Sequence, residues 1–176
     1  MLSGLTLLML AFASSSAKQA TSTTVTCGWW WTPHKEKCYR IFYESLSWTR
    51  ASAKCRAESG HLASIPDKET EDFLVGLAKK KQPGISIGLW IGGYRKNGDS
   101  EWQWNDGSPW SYTNWARGEP NNTRGREHHL ELWWDTPGWN DEHGHSPNGN
   151  TPRHHTKLNG YFCQNGGKEK EMEEKK

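Results

Sequence analysis

The run Leu89-Trp90-Ile91-Gly92-Gly93 lies near the middle of the chain and joins three large apolar residues to two glycines. A short apolar run that ends in glycines is typical of a buried strand. Beyond it, Trp102-Gln103-Trp104 alternates apolar with polar residues, which predicts a strand covered on one face. Residues 130–134 alternate in the same way, and residues 161–163 predict a closing strand.

A first helix is predicted upstream of this run, over residues 47–59. Ser47 is a suitable N-cap and Gly60 suits the C′ position. Trp48, Ala51 and Cys55 recur at helical spacing, so one face of this helix should be apolar.

A second helix is predicted from Asp67 to about Lys80, with Asp67 as its cap. Acidic residues lie near its beginning and lysines near its end, as the helix dipole favours. The helical Lys and Glu side chains are expected to be solvated. Its predicted apolar face consists of Phe73, Leu74, Leu77 and Ala78.

Length and composition indicate a single domain with attached tails. The chain has 176 residues and a formal net charge of +2, and its 33% apolar content is supplemented by 12 tryptophans. The tryptophans are expected to lie mostly in the core, with Trp110, Trp133 and Trp134 as candidates for a ligand surface. No basic block is interleaved with aromatics, which argues against nucleic acid as a partner.

Residues 1–17 predict a secretory signal, with an apolar centre followed by small residues. Cleavage after Ala13 and cleavage after Ala17 both fit. The apolar run is too short to cross a bilayer, so we expect an extracellular protein without membrane insertion. Residues 18–26 are predicted to be a linker and residues 166–176 a charged, disordered tail.

The four cysteines, an even number in a predicted secreted chain, imply two disulfides. Three pairings of Cys27, Cys38, Cys55 and Cys163 are open on the sequence alone.

Oxygen-bearing side chains gather in a long polar stretch, residues 105–125, and just after it. Glu119-Pro120-Asn121 is followed by Glu127 and later by Asn140-Asp141. Carboxylate and amide oxygens without thiolates are the ligands that Ca²⁺ needs. Pro120 places this tripeptide in a loop, and a cis peptide there would let both neighbouring side chains point the same way.

With these segments in this order, the chain resembles the C-type lectin domain over Cys27 to about Gln164. The segments that carry the resemblance are Cys38-Tyr39, Gly60-His61-Leu62-Ala63-Ser64-Ile65, Trp90-Ile91-Gly92-Gly93, Trp102-Gln103-Trp104-Asn105-Asp106-Gly107, Asn114-Trp115, Gly118-Glu119-Pro120-Asn121-Asn122, Glu131-Leu132, Trp139-Asn140-Asp141 and Tyr161-Phe162-Cys163.

The resemblance implies an α+β fold over residues 27–165, in which two helices flank antiparallel sheets and a long loop carries a Ca²⁺ site. It implies the pairs Cys27–Cys38 and Cys55–Cys163. It also implies that Ca²⁺ and a sugar share the ligands Glu119, Asn121, Glu127, Asn140 and Asp141, with the Asp141 backbone carbonyl as a further donor. The Glu-Pro-Asn order resembles that of lectins for mannose-type sugars, which carry equatorial 3- and 4-hydroxyls.

Two features depart from the family pattern. The family's second disulfide is absent, since His129 stands at its first cysteine and its partner would fall near Gly144. A looser loop that depends more on Ca²⁺ is therefore expected. Asn122 and His128 stand where acidic ligands of an auxiliary Ca²⁺ site often occur, so that site is not expected.

Two further motifs leave alternatives open. Six histidines lie between residues 128 and 155 and fit either a Zn²⁺ site or a solvated polar loop: His128, His129, His143, His145, His154 and His155. Asn121-Asn122-Thr123 matches the N-glycosylation sequon, and a glycan on Asn121 would remove it as a metal ligand.

These observations predict a secreted, calcium-dependent lectin for mannose-type glycans or glycoconjugates, with innate recognition of microbial surfaces as one setting. A homo-oligomer is compatible with this role. The alternative is a biomineral-matrix or ice-binding protein on the same scaffold. The sequence shows no catalytic residues, because no nucleophile–base pair or catalytic metal spacing is present, so we expect no enzyme.

Overall fold

The computed structural model describes residues 24–81, 88–96, 100–144 and 160–170. The predicted signal at 1–17 and the histidines at 145, 154 and 155 lie outside these ranges, as do most of the predicted linker and about half of the predicted tail.

The strands are β1 (Thr24–Thr26), β2 (Thr32–His34), β3 (Lys37–Phe42), β4 (His61–Leu62), β5 (Leu89–Tyr94), β6 (Gln103–Trp104), β7 (His129–Trp133), β8 (Gly138–Glu142), β9 (Tyr161–Gly166) and β10 (Lys168–Lys170). The helices are α1 (Trp48–Ala57) and α2 (Lys68–Lys81), and a 3₁₀ turn spans Thr123–Gly125.

The main sheet has the strand order β2-β3-β9-β5-β7-β8, with β4 paired to β9 and β6 paired to β5. Its pairs are antiparallel except for β5 and β9, which run parallel where Trp90 meets Tyr161. The predicted α+β architecture with two helices is confirmed, and the sheet is mixed rather than wholly antiparallel. Neither helix in the described ranges combines the length and the apolar content needed to span a bilayer.

Helix α1 begins as predicted and ends differently. The Ser47 side chain accepts a hydrogen bond from the Arg50 backbone N–H and caps the first turn. At the other end Ser59, not Gly60, adopts the left-handed conformation, with φ of 59°. Gly60 is required for another reason: a Cβ at this position would lie 2.2 Å from the Gln164 carbonyl oxygen. The glycine therefore permits close approach of β9 to the end of the helix.

Helix α2 is capped by Asp67, whose Oδ1 accepts from the Thr70 backbone N–H at 2.8 Å. Leu74 and Ala78 are buried as predicted, and Val75 is buried with them. The expectation of solvated glutamates is wrong for Glu71, which is 2% exposed. Its carboxylate accepts from the Tyr112 hydroxyl at 2.7 Å and from Asn114 Nδ2 at 3.0 Å. Helix α2 thus holds the polar stretch that follows β6.

Both predicted disulfides are present. Cys27 is bonded to Cys38 and Cys55 to Cys163. The second bond closes 108 residues of sequence, so it restricts the unfolded chain strongly, by about 4–5 kcal/mol in the chain-entropy treatment.

The chain ends contain more regular structure than the sequence indicated. Thr24–Thr26, which falls in the predicted linker, pairs antiparallel with Lys168–Lys170, which falls in the predicted tail. These six residues form a two-stranded sheet, because backbone pairing does not require the apolar side chains whose absence suggested linker and disorder.

Aromatic side chains fill the core around Trp139, which is fully buried. Trp104 and Trp110 lie edge-on to it, each with a ring-centroid distance of 5.5 Å. Trp134 is 3% exposed, so the prediction that it lines a ligand surface is wrong. Trp29 and Trp30 depart from the expected core placement in the other direction, since they are 91% and 79% exposed.

Candidate functional site

The polar loop is attached to β8 through the backbone of Trp139. Its N–H donates to the Asn114 carbonyl at 2.7 Å, and its carbonyl accepts from the Ala116 N–H at 2.9 Å. The Glu119 N–H then donates to the Ala116 carbonyl at 3.0 Å. This pairing brings the Glu-Pro-Asn tripeptide beside the strand that carries Asn140 and Asp141.

The tripeptide itself forms a compact turn. The Glu119–Pro120 peptide bond is cis. Asn121 Nδ2 donates to Glu119 Oε1 at 2.9 Å, and the Asn121 backbone N–H lies 3.1 Å from Glu119 Oε2. Thr123 Oγ1 donates to Asn121 Oδ1. Both predicted ligands of the tripeptide therefore lie together, with one amide N–H of Asn121 left for another partner.

Asp141 is fully buried, and its carboxylate receives three hydrogen bonds. Oδ1 accepts from the Asn121 N–H at 2.8 Å, and Oδ2 accepts from the Asn122 N–H at 3.0 Å. Oδ2 also accepts from Arg95 Nη2 at 3.0 Å. The Asp141 carboxylate thus holds the backbone of the loop in place. The sequence predicted it only as a ligand of Ca²⁺ and sugar and did not predict this structural role.

Arg95 is a residue of the site that the sequence did not reveal. Besides Asp141, its guanidinium donates to the Glu127 carbonyl from Nε at 3.1 Å and from Nη2 at 2.8 Å. The guanidinium also lies over the ring of Trp102, 4.7 Å from the centroid. Its partners lie 32 and 46 residues away in sequence, so no local pattern could have identified it.

Glu127 is the third carboxylate of the site and is 7% exposed. Its Oε2 accepts from the Thr123 N–H at 2.7 Å, and its own N–H donates to Asn122 Oδ1 at 3.2 Å. The short 3₁₀ turn between these residues therefore positions the carboxylate from both sides.

The amide of Asn140 is oriented by a buried glutamate on the neighbouring strand. Asn140 Nδ2 donates to Glu131 Oε1 at 2.8 Å, and Trp133 Nε1 donates to the same oxygen at 2.6 Å. Because the nitrogen is committed to Glu131, Asn140 Oδ1 is directed to the other side as an acceptor. Burial raises the pKa of Glu131 to about 7. Glu131 belongs to the segments that carry the family resemblance, but no role in orienting Asn140 was predicted for it.

Negative charge is concentrated in this region. Burial raises the pKa of Glu119, and the neighbouring Asp141 raises it further. Burial also raises the pKa of Glu127, with smaller contributions from Asp141 and Glu142. Asp141 is paired with Arg95, whereas the carboxylates of Glu119 and Glu127 have no guanidinium partner among the described residues, so a divalent cation would balance these two charges. The donor set of carboxylate and amide oxygens fits Ca²⁺.

The residues at the two positions of the absent disulfide lie in contact. A Cβ on Gly144 would lie 2.3 Å from His129 Nδ1, so the imidazole fills the space beside this glycine. The His129 ring packs on Trp48 with a centroid distance of 4.7 Å, and the Trp48 N–H donates to the Gly144 carbonyl at 3.0 Å. Ring packing and one backbone hydrogen bond therefore connect β7, the end of β8 and helix α1.

The two residues that replace the acidic ligands of an auxiliary site have other uses. Asn122 contributes its N–H to Asp141 and its Oδ1 to Glu127, as described above. The pKa of His128 is lowered by burial and by the nearby Arg95.

Comparison with known proteins gives the family. Residues 44–150 match the Lectin C-type domain. The galactose-specific lectin nattectin of Thalassophryne nattereri is 31% identical over 132 residues, which are 75% of this chain and 80% of that protein. In other curated relatives the matched region spans from 60% to 86% of their length.

Two solved structures share the fold. The C-type carbohydrate-recognition domain of cow CD23, solved in the presence of a GlcNAc2Man3 oligosaccharide, has a TM-score of 0.68 and 28% identity, covering 82% of this chain and 99% of its own. A calcium-independent type II antifreeze protein has a TM-score of 0.64 and 24% identity, covering 82% and 97%, and this likeness concerns the fold alone. The match over residues 44–150, the relatives and the shared architecture together show that the chain belongs to the C-type lectin domain family.

Proposed function

We propose that the protein is a secreted, calcium-dependent lectin for mannose-type sugars. The observation that carries the proposal is that Asp141, which is paired with Arg95, lies close enough to Glu119 and Glu127 to raise the pKa of both carboxyl groups. Carboxylates gathered in this way repel one another unless a cation lies between them. Oxygen donors from several turns of one loop region are the kind of site that Ca²⁺ occupies.

Four side chains would hold the metal through oxygens: the carboxylates of Glu119 and Glu127 and the Oδ1 atoms of Asn121 and Asn140. The Asp141 carboxylate already accepts three hydrogen bonds, so its contribution would come from its remaining lone pair and its backbone carbonyl. Bound Ca²⁺ supplies coordination positions for two vicinal hydroxyls of a sugar. Glu131 acts on the same site indirectly, because it turns the Asn140 oxygen towards the metal.

The protein would read the sugar through the same side chains. Asn121 and Asn140 each have one amide N–H engaged within the protein, which leaves the second to donate to a hydroxyl oxygen. Glu119 and Glu127 would accept from the hydroxyl protons, and such charge-assisted hydrogen bonds are stronger than neutral ones. The carboxylate before Pro120 and the amide after it set the donor and acceptor order that we assign to equatorial 3- and 4-hydroxyls.

Retention on immobilised mannose tests this proposal. The full chain should be retained in millimolar Ca²⁺ and released by EDTA, and free mannose should elute it at lower concentration than free galactose. Calorimetry with Ca²⁺ alone separates metal binding from sugar binding. Folded protein that takes up no Ca²⁺ would end the proposal, and Ca²⁺ uptake with preference for galactose would end only the sugar assignment.

Two variants probe the ligand set against a matched control. Glu127→Gln should lower Ca²⁺ affinity at least tenfold, whereas Glu101→Gln, a change of the same chemistry at an exposed position, should leave it unchanged. The double variant Glu119→Gln with Asn121→Asp exchanges donor and acceptor and should shift the preference towards galactose. Peptide mass spectrometry of secreted protein should find Asn121 without a glycan, since a glycan there would block the site.

Secretion is part of the proposal and rests on two observations. Residues 1–17 carry the predicted signal, and both disulfides belong to an oxidising compartment. Expression in eukaryotic cells should release the protein into the medium with its N-terminus after Ala13 or Ala17. Protein that stays inside the cell with an intact N-terminus would contradict this part.

A second candidate is binding to a mineral or ice surface. The observation that favours it is the shared fold with a calcium-independent antifreeze protein. Adsorption to calcium carbonate or ice that survives Glu127→Ala, without retention on any sugar, would support this function over the lectin.

A further inference from the structure

A second cluster of metal-ligating side chains lies at the end of β8 and goes beyond the proposed lectin site. Ligand atoms of Glu127, Glu142 and His143 all lie within 4.8 Å of one another. The proposed lectin function uses Glu127, whereas it assigns no role to Glu142 or His143.

The distances within this cluster fall in the range of an ion pair but are longer than a hydrogen bond. His143 Nδ1 lies 3.4 Å from Glu142 Oε1 and 3.6 Å from Glu127 Oε1. Both distances exceed the usual length of an N–H···O hydrogen bond. Zn²⁺ binds imidazole nitrogen and carboxylate oxygen at about 2.0–2.2 Å, so two ligands on a tetrahedral ion are about 3.3–3.5 Å apart. The observed distances from His143 Nδ1 to the two carboxylate oxygens are close to this ligand–ligand distance.

Backbone hydrogen bonds position both carboxylates of the cluster. The His143 backbone N–H donates to Glu142 Oε1 at 2.9 Å, and the Thr123 N–H donates to Glu127 Oε2 at 2.7 Å. Glu127 is 7% exposed, and its Oε1, which faces His143, accepts no hydrogen bond from the described part of the chain. This largely buried oxygen has the imidazole of His143 3.6 Å away, so a metal ion between the two side chains would give it a closer positive partner.

The position of His143 is also fixed by its surroundings. The next residue, Gly144, has φ of 72° and packs against His129. The Gly144 carbonyl accepts from the Trp48 N–H on helix α1. The side chains of Glu142 and His143 are 20% and 24% exposed, so a metal could enter from solvent and a water molecule could complete its coordination.

We propose that Glu127, Glu142 and His143 form a binding site for Zn²⁺ or a similar divalent transition metal. One imidazole and two carboxylates with one open position suit Zn²⁺ better than Ca²⁺, because imidazole is a ligand of transition metals. This inference gives one histidine of the 128–155 group a specific role and leaves the other described members, His128 and His129, outside the cluster.

Metal titration of the full chain tests the site. Metal is removed from the protein with EDTA, and the EDTA is then removed. Binding of Zn²⁺ is measured by calorimetry, and binding of Co²⁺ is measured by visible absorption, which reports tetrahedral coordination. We expect one equivalent to bind. The double variant Glu142→Gln with His143→Gln should lose at least tenfold in affinity and lose the tetrahedral Co²⁺ spectrum.

A triple variant, His145→Gln with His154→Gln and His155→Gln, is the matched control. It removes three other histidines of the 128–155 group and keeps the cluster, so it should bind Zn²⁺ as the parent does. Thermal unfolding without metal shows whether each variant is folded. The proposal is overturned if the triple variant loses the metal, if the folded double variant keeps it, or if the parent binds none.

Discussion

Replacement of Glu131 by Gln should change how the stability of the protein depends on pH. The Glu131 carboxylate is 7% exposed and receives two hydrogen bonds on one oxygen, from Asn140 Nδ2 and Trp133 Nε1. Gln keeps a carbonyl oxygen for these donors and removes the ionisable group. The amide N–H₂ of the new Gln side chain needs an acceptor in the folded protein. This need is expected to destabilise the variant by an amount that does not depend on pH.

The magnitude follows from the pKa. Burial raises the pKa of Glu131 from 4.5 to about 7, so the folded protein binds this proton more tightly than the unfolded chain. The resulting stabilisation is fully present below the unfolded pKa and is lost as the pH rises through the folded pKa. Between about pH 5 and about pH 8 the loss amounts to about 2–3 kcal/mol in the parent and is absent in the variant.

Urea unfolding in EDTA at several pH values measures this difference, with the disulfides intact. The free energy of unfolding of Glu131→Gln should rise relative to that of the parent by about 2–3 kcal/mol over this interval. Glu101→Gln, at an exposed position, should follow the parent. Parallel pH profiles for the parent and Glu131→Gln would refute the reasoning, since they would mean that Glu131 titrates alike in both states.

Three further changes have defined outcomes. Arg95→Met breaks the ion pair with Asp141, whose two side chains are 10% and 0% exposed, and should lower the free energy of unfolding by about 3 kcal/mol. An unchanged midpoint in urea unfolding would count against this prediction. Asp67→Ala removes the cap of helix α2 and should cost about 1 kcal/mol, whereas Asp67→Asn keeps an acceptor and should cost less. Lys35 lowers the pKa of Asp67 to about 2. The stabilisation from the ionised Asp67 is therefore present above the unfolded value of 3.8 and is lost as the pH falls towards about 2. Plots of the free energy of unfolding against pH should accordingly differ between Asp67→Asn and the parent in this acid range. Gly144→Ala adds a Cβ 2.3 Å from His129 at a φ of 72° and should cost about 2 kcal/mol, and an unaltered thermal midpoint would rule this out.

Features set by nearby residues were predictable from the sequence. Ser47 and Asp67 cap the helices because a short polar side chain three residues before an N–H is sufficient for a cap. The run from Leu89 forms a central strand because a continuous apolar stretch of this length can only be buried. The two disulfides and the grouping of the Glu-Pro-Asn tripeptide with Asn140-Asp141 came from the family resemblance.

Features set by distant contacts were not predictable in this way. Arg95, Glu71 and Glu131 are charged residues whose pattern fits solvent exposure, yet each is largely buried against a partner from another segment. Gly60 shows the same limit. Helix-end rules predict a glycine at the end of helix α1, but the left-handed residue is Ser59, and Gly60 is needed for a different reason. The constraint comes from the Gln164 carbonyl, which lies 104 residues later in sequence.

The loss of the second disulfide need not loosen the loop as far as the sequence suggested. Asp141 accepts two backbone N–H groups of the loop and one guanidinium N–H, and Arg95 also donates twice to the Glu127 carbonyl. Hydrogen bonds that involve a charged group are about twice as strong as neutral ones. These contacts therefore tie the loop to β8 without a metal and without a covalent bond. The carboxylates of Glu119 and Glu127 receive no guanidinium in the described residues, so the dependence on a cation falls on them rather than on the backbone that carries them.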